Sequence, residues 1–231
     1  MLLNIRNKLD FFLRNRIRWG KPIPENEPVH GMADVFQGEL EEFLESFVGL
    51  DQVSFRKNIV VADVGTRTFS SAPVIEKVFR KQGLESEIHG YEIDAYRRFT
   101  NLRTRAAYGQ YYAKKIRNGF YHAADFRETQ VKFDVILMLN PFVTKKTHLA
   151  WGLPLNNYAP ENLFFHCYNS LRKGTGLFLI SSPNQQEFEM ALKLSVSSGF
   201  TLCEEKQWYP ATHSLQRQPR LGALFQIRDA F

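Results

Sequence analysis

Residues 59–64, Ile-Val-Val-Ala-Asp-Val, form an apolar run broken only by Asp63 and closed by Gly65. A run this short, rich in β-branched residues and ended by a turn residue, reads as a strand buried on both faces. It therefore belongs inside a parallel sheet rather than in a half-exposed hairpin. Parallel neighbours need crossover connections, so the flanking chain must supply helices. An acid at the end of such a strand, followed by glycine, stands where α/β proteins open a ligand crevice at the sheet's C-terminal edge.

The rest of the sequence meets that demand. The spacing of Val74, Ile75, Val78 and Phe79 predicts a helix over 72–82, and a strand over 87–91 ends in Glu92. A long helix is expected over 95–117, short strands over 120–123 and 133–139, and a helix over 161–171. A strand at 177–181 and a helix at 187–197 complete the alternation, which is that of βαβ units around a parallel sheet. Nine residues, 124–132, link two of the strands; fully extended they reach roughly 30 Å, enough to recross the sheet without a helix. The runs 200–208 and 221–228 are joined by a loop with two prolines and no helical period, which favours an antiparallel pair.

The first 30 residues are of another character. Leu2, Ile5, Leu9, Phe12, Leu13 and Ile17 recur at helical spacing among basic residues. Through Lys21, six basic side chains face Asp10 alone, so +5 of the chain's net charge of +6 lies there. The expectation is a helix that docks its apolar stripe on the neighbouring domain; an anionic membrane surface or a nucleic acid are the alternatives. A linker with Pro22, Pro24 and Pro28 follows, and then a helix over 33–48 with Phe36, Leu40, Phe43, Leu44 and Phe47 on one side. The domain reading is 1–30 as arm and linker and 31–231 as a single α/β domain, a length that can bury a sizeable core. No apolar run approaches the roughly 20 residues needed to cross a bilayer. With no recognisable secretory signal, the expectation is a cytoplasmic protein whose Cys167 and Cys203 are free core thiols.

Asp63-Val64-Gly65, Glu92 after the second strand, Asp125-Phe126 after the third and Asn140-Pro141-Phe142 after the fourth together resemble the class I S-adenosylmethionine-dependent methyltransferases. That resemblance covers about 58–228. It implies a Rossmann-like, seven-stranded, mostly parallel sheet with an antiparallel C-terminal strand, helices on both faces and the N-terminal helix as an extension. It also implies S-adenosylmethionine as cofactor and methyl transfer to an acceptor that the sequence does not identify. By the same resemblance Glu92 accepts from the ribose hydroxyls, Asp125 from the adenine amino group, and Phe126 walls the base. A carboxylate suits ribose because it is acceptor-only and takes two donors at once. The pattern departs from the family in the loop, where Arg67 and Phe69 replace the second and third glycines. Arg67 could pair with the cofactor's carboxylate, or Arg67 and Phe69 could fill the pocket and leave a non-catalytic binding or scaffold protein.

Amino-group methyltransferases carry a further proline within the motif that Asn140-Pro141-Phe142 resembles. A strand simply stopped by a proline is the plainer reading and ranks first, yet Asn140 stands at a substrate-facing position. The segment 143–159 reads as a structureless lid or binding loop. Within it His148 is the candidate general base, and Trp151 and Tyr158, with Phe142, are candidate stacking partners for a planar substrate. The six histidines show no zinc-type spacing, so no metal is expected. A nicotinamide-dinucleotide oxidoreductase is a weaker alternative: Glu92 would suit it, but the Gly-x-Gly-x-x-Gly loop is absent and the chain ends antiparallel.

Overall fold

The computed structural model describes residues 1–24, 32–47, 56–209 and 219–227. Seven strands form one sheet: β1 (Asn58–Val64), β2 (Glu85–Tyr91), β3 (Gly119–His122), β4 (Val135–Leu139), β5 (Leu177–Ser182), β6 (Thr201–Trp208) and β7 (Arg220–Gln226). Their order is β3-β2-β1-β4-β5-β7-β6, with β7 antiparallel to both β5 and β6 and the remaining pairs parallel. The order reverses between β1 and β4, the switch point at which crevices open in such sheets.

Around the sheet lie α1 (Leu2–Ile17), α2 (Met32–Glu45), α3 (Ala72–Lys81), α4 (Arg105–Ala113), α5 (Lys145–Ala150), α6 (Pro160–Ser170) and α7 (Gln185–Ser197). Strand side chains alternate between two cores, as period-2 geometry dictates. Val135, Leu137, Leu177 and Leu179 face α2 to α4, together with Leu40, Phe43, Leu44 and Phe47. Ile136, Met138, Phe178 and Ile180 face α6 and α7 with Phe164, Phe188 and Phe225. Phe36 and Val48, expected on the second helix, lie outside the residues whose side chains are described.

Three sequence expectations need correction. The helix expected over 95–117 forms only at 105–113. Residues 98–104 double back instead: Arg98 bridges Thr104, and Phe99 N–H donates to Arg103 O at 2.8 Å. The arginines that a helical reading leaves in solvent are drawn to buried Asp94, which lies 3.0 Å from Arg14, 2.5 Å from Arg97 and 3.6 Å from Arg105. The segment expected to be structureless carries α5, capped by Thr144, and a 3-10 turn at Leu155–Asn157. Cys203 is exposed on the outer strand β6, while Cys167 is buried in the core as expected.

The fourth correction concerns α1. The helix packs on the domain, but through its polar face. Asn7, 4 % exposed, donates to Leu149 O at 2.9 Å and Leu153 O at 3.2 Å. Asn4 Oδ1 accepts from Leu155 N–H at 2.8 Å, and Arg14 reaches Gly152 O at 3.4 Å. Leu2, Ile5, Leu9, Phe12, Leu13 and Ile17 are 42–81 % exposed. Asn7 thus adds a second donor to Leu149 O, which already accepts the Gly152 N–H at 2.9 Å, and supplies one to Leu153 O. Among the described residues, no helix is long and apolar enough to cross a membrane.

Candidate active site

The turn after β1 keeps a glycine-type backbone although only one of its three left-handed positions is glycine. Gly65, Arg67 and Phe69 have φ of 74°, 56° and 61°, so all three sit in the left-handed region. For the two non-glycine residues that conformation costs about 1–2 kcal/mol each. Hydrogen bonds hold the turn in place. Gly65 N–H and Thr66 N–H donate to Tyr91 O at 2.9 and 3.2 Å, Arg67 N–H to Glu92 Oε2 at 2.9 Å, and Tyr121 hydroxyl to Arg67 O at 3.0 Å. The Phe69 ring is fully buried in the core. It lies over Gly90, where a Cβ would come within 2.5 Å of the ring. Glycine at 90 therefore makes room for Phe69, and Phe69 does not enter the crevice.

A cavity of about 430 Å³ opens at the C-terminal ends of β1, β2, β4 and β5. Gly65, Arg67, Glu92, Asp125, Phe126, Asn140, Phe142, His148, Trp151 and Tyr158 all line it. Of the sequence-predicted site residues, Asp63 alone is not at its wall. The Asp63 carboxylate is 1 % exposed and accepts from Thr66 hydroxyl at 2.6 Å and from Ser71 hydroxyl. Asp63 thus ties the turn to the start of α3. Ser71, the residue before α3, makes no side-chain cap and gives its hydroxyl to Asp63.

Burial raises the Asp63 carboxyl above the ordinary carboxylate value, against the pull of the Ser71 and Thr66 hydrogen bonds. A carboxyl raised in the folded state binds its proton more readily there, so this contribution to stability falls as pH rises from about pH 4 towards neutrality. Asp63→Asn is expected to remove that fall. Urea midpoints across the range check it, and parallel curves for variant and wild type would exclude the shift.

Glu92 is almost fully buried and already engaged. Oε2 takes the Arg67 N–H, while Oε1 takes the Asp94 N–H at 2.7 Å and Arg105 Nη1 at 3.2 Å. A carboxylate has about four acceptor positions, so one further donor can be accommodated. Asp125 is clamped by Arg127, whose Nε lies 3.0 Å from both carboxylate oxygens. Burial alone would raise the Asp125 carboxyl, but the Arg127 side-chain and backbone hydrogen bonds win and hold it below the usual range. Asn140 has φ of 60°, its N–H donates to Ser181 O at 2.7 Å, and its buried Oδ1 has no partner. A strained residue that presents an unsatisfied acceptor at a cavity wall is the arrangement expected of a ligand contact.

The cavity roof is the segment 141–160. Phe142 stacks on Trp151 with centroids 4.8 Å apart, and the Arg67 guanidinium lies over the Trp151 ring at 5.5 Å, joining the turn to the roof. His148 is buried with Nε2 3.0 Å from Pro154 O, which fixes the proton on Nε2 and leaves Nδ1 as the basic nitrogen. Burial holds this imidazole below its ordinary value despite the opposing pull of that carbonyl. Tyr158 hydroxyl donates to Val143 O at 2.7 Å.

Two supports escaped the sequence reading. Glu187 accepts from Val143 N–H at 2.7 Å and Thr144 N–H at 3.2 Å, pinning the roof. Its spacing from Asn184 is that of a helix capping box, and Asn184 does accept the Glu187 N–H at 3.1 Å, but the carboxylate turns outward to the roof. Arg105, the cation beside Glu92, was hidden inside the overlong helix expectation.

No family model and no curated protein matches the sequence. Solved structures do match. An S-adenosylmethionine-dependent methyltransferase from Clostridium acetobutylicum aligns with a TM-score of 0.53 at 10% identity, over 85% of this chain and 94% of that one. Magnesium protoporphyrin IX methyltransferase from Synechocystis with bound S-adenosylhomocysteine aligns with a TM-score of 0.53 at 12% identity, over 94% of each chain. With its strand order, its antiparallel β7 and these neighbours, the chain has the Rossmann-like fold of the class I S-adenosylmethionine-dependent methyltransferases.

Proposed function

We propose that the protein is an S-adenosylmethionine-dependent methyltransferase. The observation that carries this reading is the turn at 65–69, which retains three left-handed residues although two are not glycine, and whose Phe69 leaves the cavity clear. A turn kept under strain on one side of an open crevice, facing Glu92 and Asp125, is difficult to account for without a ligand. The residues present fit the cofactor. Glu92 has capacity for a ribose hydroxyl, Asp125 and Phe126 stand where a planar base needs an acceptor and a wall, and Arg67 at the rim can meet a carboxylate.

The bound cofactor would supply an activated methyl group, so the chain's own task is placement rather than chemical activation. Asn140 Oδ1 is an acceptor for a donor group on the substrate. Phe142 and Trp151 form an apolar wall that excludes water and suits a planar acceptor. His148 Nδ1, neutral at physiological pH because burial depresses its proton affinity, can take the proton released by the nucleophile.

Calorimetric titration with S-adenosylhomocysteine and S-adenosylmethionine tests the reading; absence of binding by either overturns it. Glu92→Gln preserves the shape but removes the charge. It is expected to weaken S-adenosylhomocysteine by about 1.5–3 kcal/mol, the range for a hydrogen bond to a charged group. Unchanged affinity would remove Glu92 from the ribose role.

A further inference from the structure

The outward face of α1 is unlike the rest of the surface. At 3.6 residues per turn, Leu2, Ile5, Leu9, Phe12 and Leu13 fall within about 100° of arc, opposite Asn7, the residue at the centre of the docking face. All five are exposed, as are Ile17 and, just beyond the helix, Trp19. Arg6, Lys8, Arg16, Arg18 and Lys21 are exposed around and within this stripe, and Asp10 is the single acid among them. The orientation is not that of a helix awaiting the domain's core, because its polar face is already bonded to Leu149, Leu153 and Leu155.

We infer that α1 is an interfacial anchor that lies in the surface of an anionic lipid bilayer. Such a helix needs a broad apolar face to enter the acyl boundary, cations to meet lipid phosphates, and aromatic residues at headgroup depth. The arm has each of these: the leucines and isoleucines of the stripe, a positive charge complementary to anionic headgroups, and Phe12 and Trp19. A nucleic acid would be served by the cations alone and gives no reason to expose seven large apolar side chains, Leu3 among them, on one helix. The helix so engaged is tied to the cavity roof through its opposite face, since Asn4, Asn7 and Arg14 are bonded to the segment that carries Trp151, Leu153 and Leu155. This inference stands whether or not the cavity binds S-adenosylmethionine.

Co-sedimentation of the full chain with vesicles tests it. Binding is expected to phosphatidylcholine mixed with phosphatidylglycerol in equal parts, with much weaker binding to phosphatidylcholine alone. Lys8→Gln with Arg16→Gln should weaken it about thirty-fold, a factor of about five for each charge lost near the surface. Combined Ile5→Gln, Leu9→Gln and Phe12→Gln should abolish vesicle binding while changing the thermal midpoint little, because each of these side chains is more than half exposed and lies outside the two buried cores. No binding to the mixed vesicles overturns the inference. So does binding that survives the triple substitution, salt-sensitive RNA binding in place of vesicle binding, or a dimer in solution that the triple substitution dissociates.

Discussion

Asp94→Ala is expected to destabilise the protein by about 3–5 kcal/mol, the loss typical when one partner of a buried ion cluster is removed. Asp94 is 1 % exposed and faces Arg14, Arg97 and Arg105, held by proximity of charge rather than by aligned hydrogen bonds. Its removal leaves three guanidinium groups crowded together with only Glu92 nearby. Replacing Asp94 thus strands cations that cannot discharge, since arginine keeps its proton under all ordinary conditions. Urea denaturation of the variant measures the loss. A change below about 1 kcal/mol would place the cluster with ordinary surface pairs.

The turn after β1 supplies a second large effect, because its two left-handed non-glycine residues should respond oppositely. Phe69→Gly removes a fully buried ring and is expected to cost about 3–5 kcal/mol, only partly offset by relief of the backbone. Arg67→Gly relieves about 1–2 kcal/mol of the same strain but gives back roughly 0.5–1 kcal/mol through the freer unfolded chain. Its net effect on stability is therefore small and towards stabilisation. Denaturation midpoints of the two variants decide the matter. If both lose several kcal/mol, Arg67 is a structural residue and not a rim residue. The contrast explains how the turn survives the loss of its glycines: burial at 69 compensates for one of the strained positions.

The centre of the sheet was legible in the sequence because β1, β4 and β5 are buried on both faces and carry their signal in nearly continuous apolar runs. The antiparallel ending was legible from a loop too poor in helical pattern to cross over. The convergence of Glu92, Asp125, Asn140 and His148 on one cavity follows from their places just past strand ends and in the segment after β4 that carries α5. Other features were not legible, for reasons of long-range charge and hydrogen bonding. The helix expected over 95–117 was shortened by Asp94, which no local periodicity reveals. The seat of Phe69 depends on Gly90, 21 residues away and on the neighbouring strand. The face on which α1 docks was misread because amphipathicity tells which residues share a side, not which side the protein needs. Here the docking is set by polar groups of the roof, where Leu149 O and Leu153 O accept from Asn7 and Leu155 N–H donates to Asn4.

Arg14 touches both the Asp94 carboxylate and the Gly152 carbonyl, so one side chain of the arm reaches the loop beside Glu92 and the cavity roof together. Two processes that strain or tighten the same guanidinium are not independent equilibria. If occupancy of the cavity draws Arg14 inward, then a surface that holds α1 in that position raises affinity for the occupant, and the occupant raises affinity for the surface by an equal factor. If α1 lies on a bilayer as inferred, the arm would then report there whether the crevice is filled.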